Sequence, residues 1–110
     1  MKSKIIAVDF DGTLCTNCYP ALGFPNWVLI DYLNVQREHG AKIILWTCRA
    51  GALLDAAVSW CKDHGLTFDA VNENLPEIIE AFGSDTRKIF ANEYIDDLAT
   101  SKFNLPFEHR

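Results

Sequence analysis

The sequence predicts an α/β fold, a Rossmann-like three-layer sandwich with a central, mainly parallel sheet. Two uninterrupted apolar runs, Ile5–Val8 and Lys42–Trp46, are typical of strands buried on both faces. They alternate with segments whose apolar residues recur at helical spacing. This alternation indicates a parallel sheet with right-handed crossovers, in which ligands bind outside the carboxyl ends of the strands.

The other elements are predicted from periodicity and from their end signals. Pro25 suits the start of a helix, and Gly40 suits the left-handed residue that ends it. After the first strand, the predicted elements are a loop over residues 12–24, a helix over about Pro25–His39, a strand over Lys42–Trp46, a helix over about Ala50–His64, a strand over about Thr67–Val71, a helix over Pro76–Phe82, a strand over about Ile89–Ile95, and a short helix or ordered strap over residues 98–110.

Length and charge limit the class of protein. A chain of 110 residues is expected to form one domain, residues 1–110, around a single core. No apolar stretch approaches the roughly 20 residues of a membrane span, and the first residues lead straight into a strand rather than a signal peptide. We therefore expect a cytoplasmic protein with no membrane partner. The net charge of −5 provides no basic stripe, which argues against tight binding of nucleic acid.

The cysteines allow two interpretations. Cys15 and Cys18 form a C-x-x-C spacing, and Cys48 could supply a third zinc ligand, but no second C-x-x-C or paired histidines complete a site. Reduced thiols in a cytosolic protein are the simpler interpretation, with Cys61 as a small buried apolar residue. Whether Cys15 and Cys18 bind metal or pair with each other stays open at this stage.

Carboxylates follow two of the predicted strands. Asp9 and Asp11 end the first strand and project to the same side, because side chains alternate along an extended chain. Asp96-Asp97 ends the last strand, and Thr47 follows the second. Several carboxylates without a His or Cys cluster suggest a hard cation, of which Mg2+ is the usual one.

Such a group of residues suits phosphoryl transfer. A carboxylate can attack phosphorus and form an acyl-phosphate, which divides one difficult step into two. A second carboxyl group can protonate the leaving oxygen and then activate water. A hydroxyl and an ammonium group would hold the phosphoryl oxygens as negative charge develops on them.

The segment Asp9-Phe10-Asp11-Gly12-Thr13-Leu14 resembles the first motif of the haloacid dehalogenase (HAD) superfamily. Thr47 resembles the second motif, Lys88 the third and Asp96-Asp97 the fourth, so the resemblance covers residues 4 to about 98. It implies a HAD-like fold in which Asp9 is the nucleophile of a Mg2+-dependent phosphatase and Asp11 is its general acid/base.

The resemblance also assigns the remaining ligands. Thr47 and Lys88 would bind the phosphoryl group, although Arg87 competes with Lys88 for this role. Mg2+ would be held by Asp9, the backbone carbonyl of Asp11, Asp96 and Asp97, the last directly or through water. Arg49 could reach the substrate phosphate or could instead form an ion pair. Asn72 and Asn74 could line the rim, although turn chemistry explains them equally well.

The spacing of the motifs leaves no room for the cap domain that many HAD relatives carry. The resulting open site suits a large phosphorylated substrate or a homo-oligomer whose second subunit covers it. Loop residues Tyr19 and Phe24 are the candidates for selectivity. Two alternatives to the phosphatase remain: a binding module that retains the fold without catalysis, and a phosphotransferase that uses an acceptor other than water.

Overall fold

The structure, a computed structural model, describes residues 3–96. A four-stranded sheet in the order β3-β2-β1-β4 forms its centre, and all its strand pairs are parallel. The elements are, in chain order, β1 (Ile5–Val8), α1 (Trp27–Glu38), β2 (Lys42–Leu45), α2 (Gly51–Asp63), β3 (Ala70–Val71), α3 (Pro76–Phe82) and β4 (Glu93–Ile95).

The helices cover both faces of the sheet, which confirms the predicted Rossmann-like sandwich. Alternate strand residues such as Ile6 and Ile43 pack with the buried faces of α1 and α2 in one core cluster. Ile5 and Ile44 point to the opposite face, where they pack with residues at the start of α3 in a second cluster. Within residues 3–96, the connections between strands contain only these crossover helices and loops, so no cap domain is present there.

The strand register aligns the carboxyl ends of three strands. Val8 of β1 is opposite both Leu45 of β2 and Ile95 of β4. The backbone pairing continues one step further, since Asp9 N–H donates to the Ile95 carbonyl at 3.0 Å and Trp46 N–H donates to the Val8 carbonyl at 2.8 Å. The residues that follow these strands therefore emerge side by side.

The first helix starts later than predicted because Asn26 is its N-cap. The Asn26 side chain accepts a hydrogen bond from Leu29 N–H at 3.3 Å and donates one to the Thr13 carbonyl at 3.0 Å. Pro25 instead forms an isolated bridge with Cys15. The cap therefore fixes both the helix start and the end of the preceding loop.

The last two strands are shorter than predicted. β3 contains only Ala70–Val71, and β4 begins at Glu93 rather than near Ile89. At Phe90 the backbone is bound by a side chain instead of by a neighbouring strand, because Phe90 N–H donates to Asn74 Oδ1 at 2.7 Å. The strap or helix predicted for residues 98–110 lies outside the described residues.

None of the helices within residues 3–96 combines the length and the apolar character needed to cross a bilayer.

Candidate functional site

Residues from three neighbouring strand ends line one small cleft. Asp9, Thr47 and Asp96 follow β1, β2 and β4, and they surround a cavity of about 240 Å³ together with Trp46 and Cys48. The structure thus brings together three of the residues that the sequence singled out. We call this cavity the Asp96 branch.

A second cavity of about 490 Å³ adjoins the first. Asp9, Thr47 and Cys48 line both cavities and form a shared wall between them. We call the second cavity the Tyr19 branch; its other lining residues are Asp11, Asn17, Tyr19 and Arg49. Asp9 and Asp11 therefore face the same cavity, as alternation along an extended chain requires.

A larger cavity, of about 570 Å³, lies at the other end of the sheet. It is lined by Lys4 and Ile5 near the start of β1 and by Phe90 and Asn92 before β4, among others. Ligands of parallel α/β sheets bind at the carboxyl ends of the strands, and the group of carboxylates is there as well. Chemistry rather than volume therefore locates the candidate site at the Asp96 and Tyr19 branches.

The turn after β1 orients the first two carboxylates. Phe10 is fully buried, and its ring meets the Trp60 ring edge-on with centroids 5.4 Å apart. Phe10 N–H donates to one oxygen of Asp9 at 2.7 Å, which fixes the orientation of that carboxylate. Gly12 then adopts a positive φ of 79°, a backbone conformation that residues with a Cβ rarely adopt.

Thr47 is held by one hydrogen bond to its backbone and by another to its side chain. Its N–H donates to Asn72 Oδ1 at 2.8 Å, and its hydroxyl oxygen accepts a hydrogen bond from Arg49 N–H at 3.2 Å. Asn72 has a positive φ of 54°, which asparagine tolerates better than most residues. Asn72 therefore holds the backbone of Thr47 in place. The sequence had left open whether Asn72 lines the rim of the site or only forms a turn.

Arg49 forms a buried, two-pronged ion pair with Asp11. Its Nε donates to one carboxylate oxygen and its Nη2 to the other, each at 2.8 Å. The Arg49 side chain is only 1% exposed, whereas that of Asp11 is 19% exposed. The hydrogen bonds that Arg49 donates to Asp11 raise the pKa of the guanidinium above its ordinary value. This geometry is the strong form of an arginine–carboxylate interaction.

The same guanidinium also binds the loop over the site. Nη2 donates to the Ala21 carbonyl at 2.9 Å, and Nη1 donates to the carbonyls of Pro20 and Leu53 at 3.3 and 3.4 Å. All five N–H groups of Arg49 therefore have acceptors within the chain. The phosphate-binding role predicted for Arg49 does not fit this geometry, whereas the ion pair, the alternative interpretation, is observed.

The structure does not bring Lys88 or Arg87 to the cleft. Both residues are exposed, and neither lines the Asp96 branch or the Tyr19 branch. The buried Asn74 helps to organise this segment, because its amide nitrogen donates to Asp85 Oδ1 at 2.9 Å and its amide oxygen accepts from Phe90 N–H. Neither of the two cations predicted to bind the phosphate, Lys88 or Arg87, therefore lines the described cleft.

The carboxylates of the cleft suit Mg2+ in kind. Mg2+ prefers oxygen ligands and is usually bound by one or two carboxylates together with waters and substrate phosphate. Asp9 and Asp96 lie on adjacent strand ends and line the same cavity. Among residues 3–96 there is no group of three His, Cys, Asp or Glu residues that could hold a metal by itself, and Asp97 lies outside this range.

The four thiols are free and occupy two kinds of environment. Cys15 and Cys61 are buried, and burial raises their pKa values to about 11 and about 12. Cys18 and Cys48 are exposed. Neither a disulfide nor a zinc cluster occurs among the described residues.

Cys48 and Trp46 belong to the cleft, although the sequence pointed to other roles for them. Cys48 was a candidate zinc ligand, and Trp46 was the last apolar residue of a strand. Trp46 is 39% exposed and packs against Tyr94 with ring centroids 5.5 Å apart. Its position directly before Thr47 at a strand end is the signal that could have identified it.

The chain is similar to the solved structure of a conserved protein from Bacteroides thetaiotaomicron. Sequence identity is 33%, the match covers 99% of this chain and 93% of that one, and the TM-score is 0.78. With this identity over almost the whole of both chains, the protein belongs to the same family as that Bacteroides protein. Neither a family model nor a curated protein matches the chain.

Proposed function

We propose that the protein is a Mg2+-dependent phosphomonoester hydrolase of the HAD type, acting through an aspartyl-phosphate on Asp9. The observation that carries the proposal is the shared cavity of Asp9, Thr47 and Asp96, which come from three adjacent strand ends. A nucleophile, a hydroxyl donor and a second carboxylate thereby face one space in which a phosphoryl group could react. The resemblance of residues 9–14 to the first HAD motif supports the same chemistry.

Asp9 would carry the covalent step. One of its oxygens attacks phosphorus, the bond from phosphorus to the leaving oxygen breaks, and Asp11, the general acid that the resemblance implies, would give the leaving oxygen a proton. Water then attacks the aspartyl-phosphate, which releases phosphate and restores the carboxylate. The hydrogen bond from Phe10 N–H orients Asp9 for the attack.

Thr47 would bind the phosphoryl group during this step. Its hydroxyl oxygen already accepts a hydrogen bond from Arg49 N–H, so its own O–H can donate to a phosphoryl oxygen. The hydrogen bond to Asn72 holds the backbone of Thr47 in place. Thr47 is therefore a preorganised donor of the kind that stabilises developing negative charge.

Asp96, with Asp9, would hold Mg2+, and Asp97 is the further ligand that the resemblance suggests. When bound, Mg2+ supplies positive charge that offsets the repulsion between carboxylate and phosphate. Asp9 and Asp96 provide the carboxylate oxygens that Mg2+ prefers as ligands, and both line the same cavity.

The test is phosphate release from p-nitrophenyl phosphate with and without Mg2+. We expect metal-dependent turnover that Asp9→Asn abolishes and that Asp96→Asn reduces more than about tenfold at low Mg2+. Asp31→Asn is the matched control, because Asp31 is an exposed aspartate on α1, away from the cleft. Turnover that survives Asp9→Asn would contradict the nucleophile assignment.

The ion pair of Asp11 favours one alternative, a non-catalytic binding module. Both oxygens of Asp11 accept hydrogen bonds from Arg49. A general acid must present its carboxyl group to the leaving oxygen, so Asp11 would have to give up at least one of these bonds. A protein that binds Mg2+ and phosphate but releases no phosphate from any monoester would support this alternative.

We also propose a cytoplasmic location and a phosphorylated substrate as the partner. The four free thiols support the location, because a reducing compartment maintains thiols in this state. A second copy of the chain could cover the open cleft. Light scattering with and without substrate would test this, since an unchanged monomer would exclude such a cover.

A further inference from the structure

One aromatic ring in the cleft has no part in the proposed reaction. Tyr19 lines the Tyr19 branch beside Asp9 and Thr47, yet it is 56% exposed. The Arg49 guanidinium lies against its ring, with the guanidinium carbon 5.1 Å from the ring centroid. The same carbon lies 4.9 Å from the centroid of the buried Phe10 ring, so Arg49 is packed between the two rings.

The contact with Arg49 holds the Tyr19 ring in a defined position. Arg49 is buried and has acceptors for all its N–H groups, two of them the carbonyls of Pro20 and Ala21 next to Tyr19. Arg49 therefore binds the backbone of the loop that carries Tyr19 and also contacts the Tyr19 ring. The exposed part of Tyr19 is left for contact with a ligand in the cleft.

We propose that Tyr19 forms a subsite for a planar aromatic ring carried by the leaving group of the phosphomonoester. The proposal rests on the proposed function and specifies its substrate class. Aromatic side chains stack on planar rings with little dependence on which ring is presented. A nucleobase and a phenol are the two sources of such a ring.

Volume and charge favour a small substrate over a polymer. The Tyr19 branch, at about 490 Å³, is within the usual size range of small-molecule pockets. Its one lining cation, among the described residues, is Arg49, which is already paired with Asp11. A nucleic-acid strand would need several positive groups along its backbone, and the cleft does not present them.

The loop offers a matched control for the loss of an aromatic ring. Phe24 is 73% exposed and belongs to the same loop, but it lines neither branch of the cleft. Trp46, in the Asp96 branch, is the competing aromatic surface. Tyr19 is the better candidate to bind the substrate ring, because the Tyr19 branch has about twice the volume of the Asp96 branch and because Arg49, which packs against Tyr19, is buried.

The experiment measures kcat/KM with Mg2+ for a nucleoside 5′-monophosphate, phenyl phosphate and ribose 5-phosphate. Tyr19→Leu should lower kcat/KM about tenfold, mainly through KM, for one or both ring-bearing substrates and leave ribose 5-phosphate unchanged. Tyr19→Phe should retain the wild-type values, as should Phe24→Leu. The ring-bearing substrate that loses activity identifies the source of the ring.

Two results would overturn the subsite while leaving the phosphatase intact. One is an equal loss on ribose 5-phosphate, and the other is loss of ring preference in Trp46→Leu but not in Tyr19→Leu. If neither wild type nor Asp9→Asn releases phosphate, the proposed function fails, and binding of the nucleoside monophosphate followed by NMR shifts decides the subsite. Binding weakened about tenfold by Tyr19→Leu but not by Phe24→Leu would support the subsite; no difference between these variants would overturn it.

Discussion

The two branches of the cleft differ in how their carboxylates are surrounded. In the Tyr19 branch, Asp11 is paired through both oxygens with the buried Arg49. In the Asp96 branch, Asp9 and Asp96 line one cavity together with Trp46, Thr47 and Cys48. Asp9 and Asp11 are only two positions apart, so sequence proximity does not predict an equal environment. Arg49 balances the charge of Asp11, and the Asp96 branch brings two carboxylates of the kind that Mg2+ binds to one cavity.

Of the changes that test this difference between the branches, removal of Arg49 should have the largest effect on stability. Arg49→Met leaves a partly buried carboxylate without its partner and frees the loop at Pro20 and Ala21, so we expect a loss of about 3 kcal/mol in the free energy of unfolding. Urea unfolding of both proteins measures this. The control is Arg37→Met, because the Arg37–Asp69 pair has side chains 31% and 25% exposed and should contribute less than about 1 kcal/mol. Equal losses of unfolding free energy in Arg49→Met and Arg37→Met would contradict the prediction that the buried Asp11–Arg49 pair stabilises the fold more than an exposed pair does.

Asn72 tests the wall that the two branches share. Asn72→Ala removes the acceptor for Thr47 N–H and puts alanine, which tolerates positive φ less well than asparagine, at a φ of 54°, which should cost about 1 kcal/mol. Asn72→Gly removes the same acceptor but tolerates the backbone conformation, so it should cost less. The comparison of the two urea midpoints separates the effects. A glycine variant as unstable as the alanine variant would mean that the lost hydrogen bond dominates.

Thiol labelling should give the smallest effect and tests whether the shared wall is accessible. At pH 8, a thiol reagent should modify Cys18 and Cys48 and leave Cys15 and Cys61 unmodified, because both are buried and their pKa values of about 11 and about 12 keep them protonated. Mg2+ with inorganic phosphate should slow labelling of Cys48 by a few fold. If Mg2+ with phosphate still slows labelling in Cys48→Ser, the protected thiol is Cys18, and the bound phosphate lies elsewhere.

Local patterns were sufficient for the centre of the sheet and for the main helices. The apolar runs at Ile5–Val8 and Lys42–Leu45 formed strands, and α2 differed from its predicted range by one residue at each end. The placement of Asp9 and Thr47 at adjoining strand ends followed from the same patterns, because parallel strands align their carboxyl ends. These features depend on periodicity within a few residues, which a single sequence displays directly.

The segment before β4 could not be predicted in this way. Its apolar residues suggested a strand from about Ile89, but Asn74 binds the backbone of Phe90 from 16 positions away. A side chain thereby takes the place of a neighbouring strand. The expected approach of Lys88 to the phosphate site depended on this segment, and the described structure leaves Lys88 exposed and outside the cleft.

By itself, the sequence determined the α/β class, the two central strands and the presence of acids at the strand ends, because each depends on local alternation of apolar and polar residues. Only the tertiary structure decided that Arg49 binds Asp11, 38 positions away, and that Tyr19 rests on the same guanidinium. These contacts join a loop, a strand end and a helix start that are distant in the chain. Their geometry results from how the three elements pack, which no local pattern specifies.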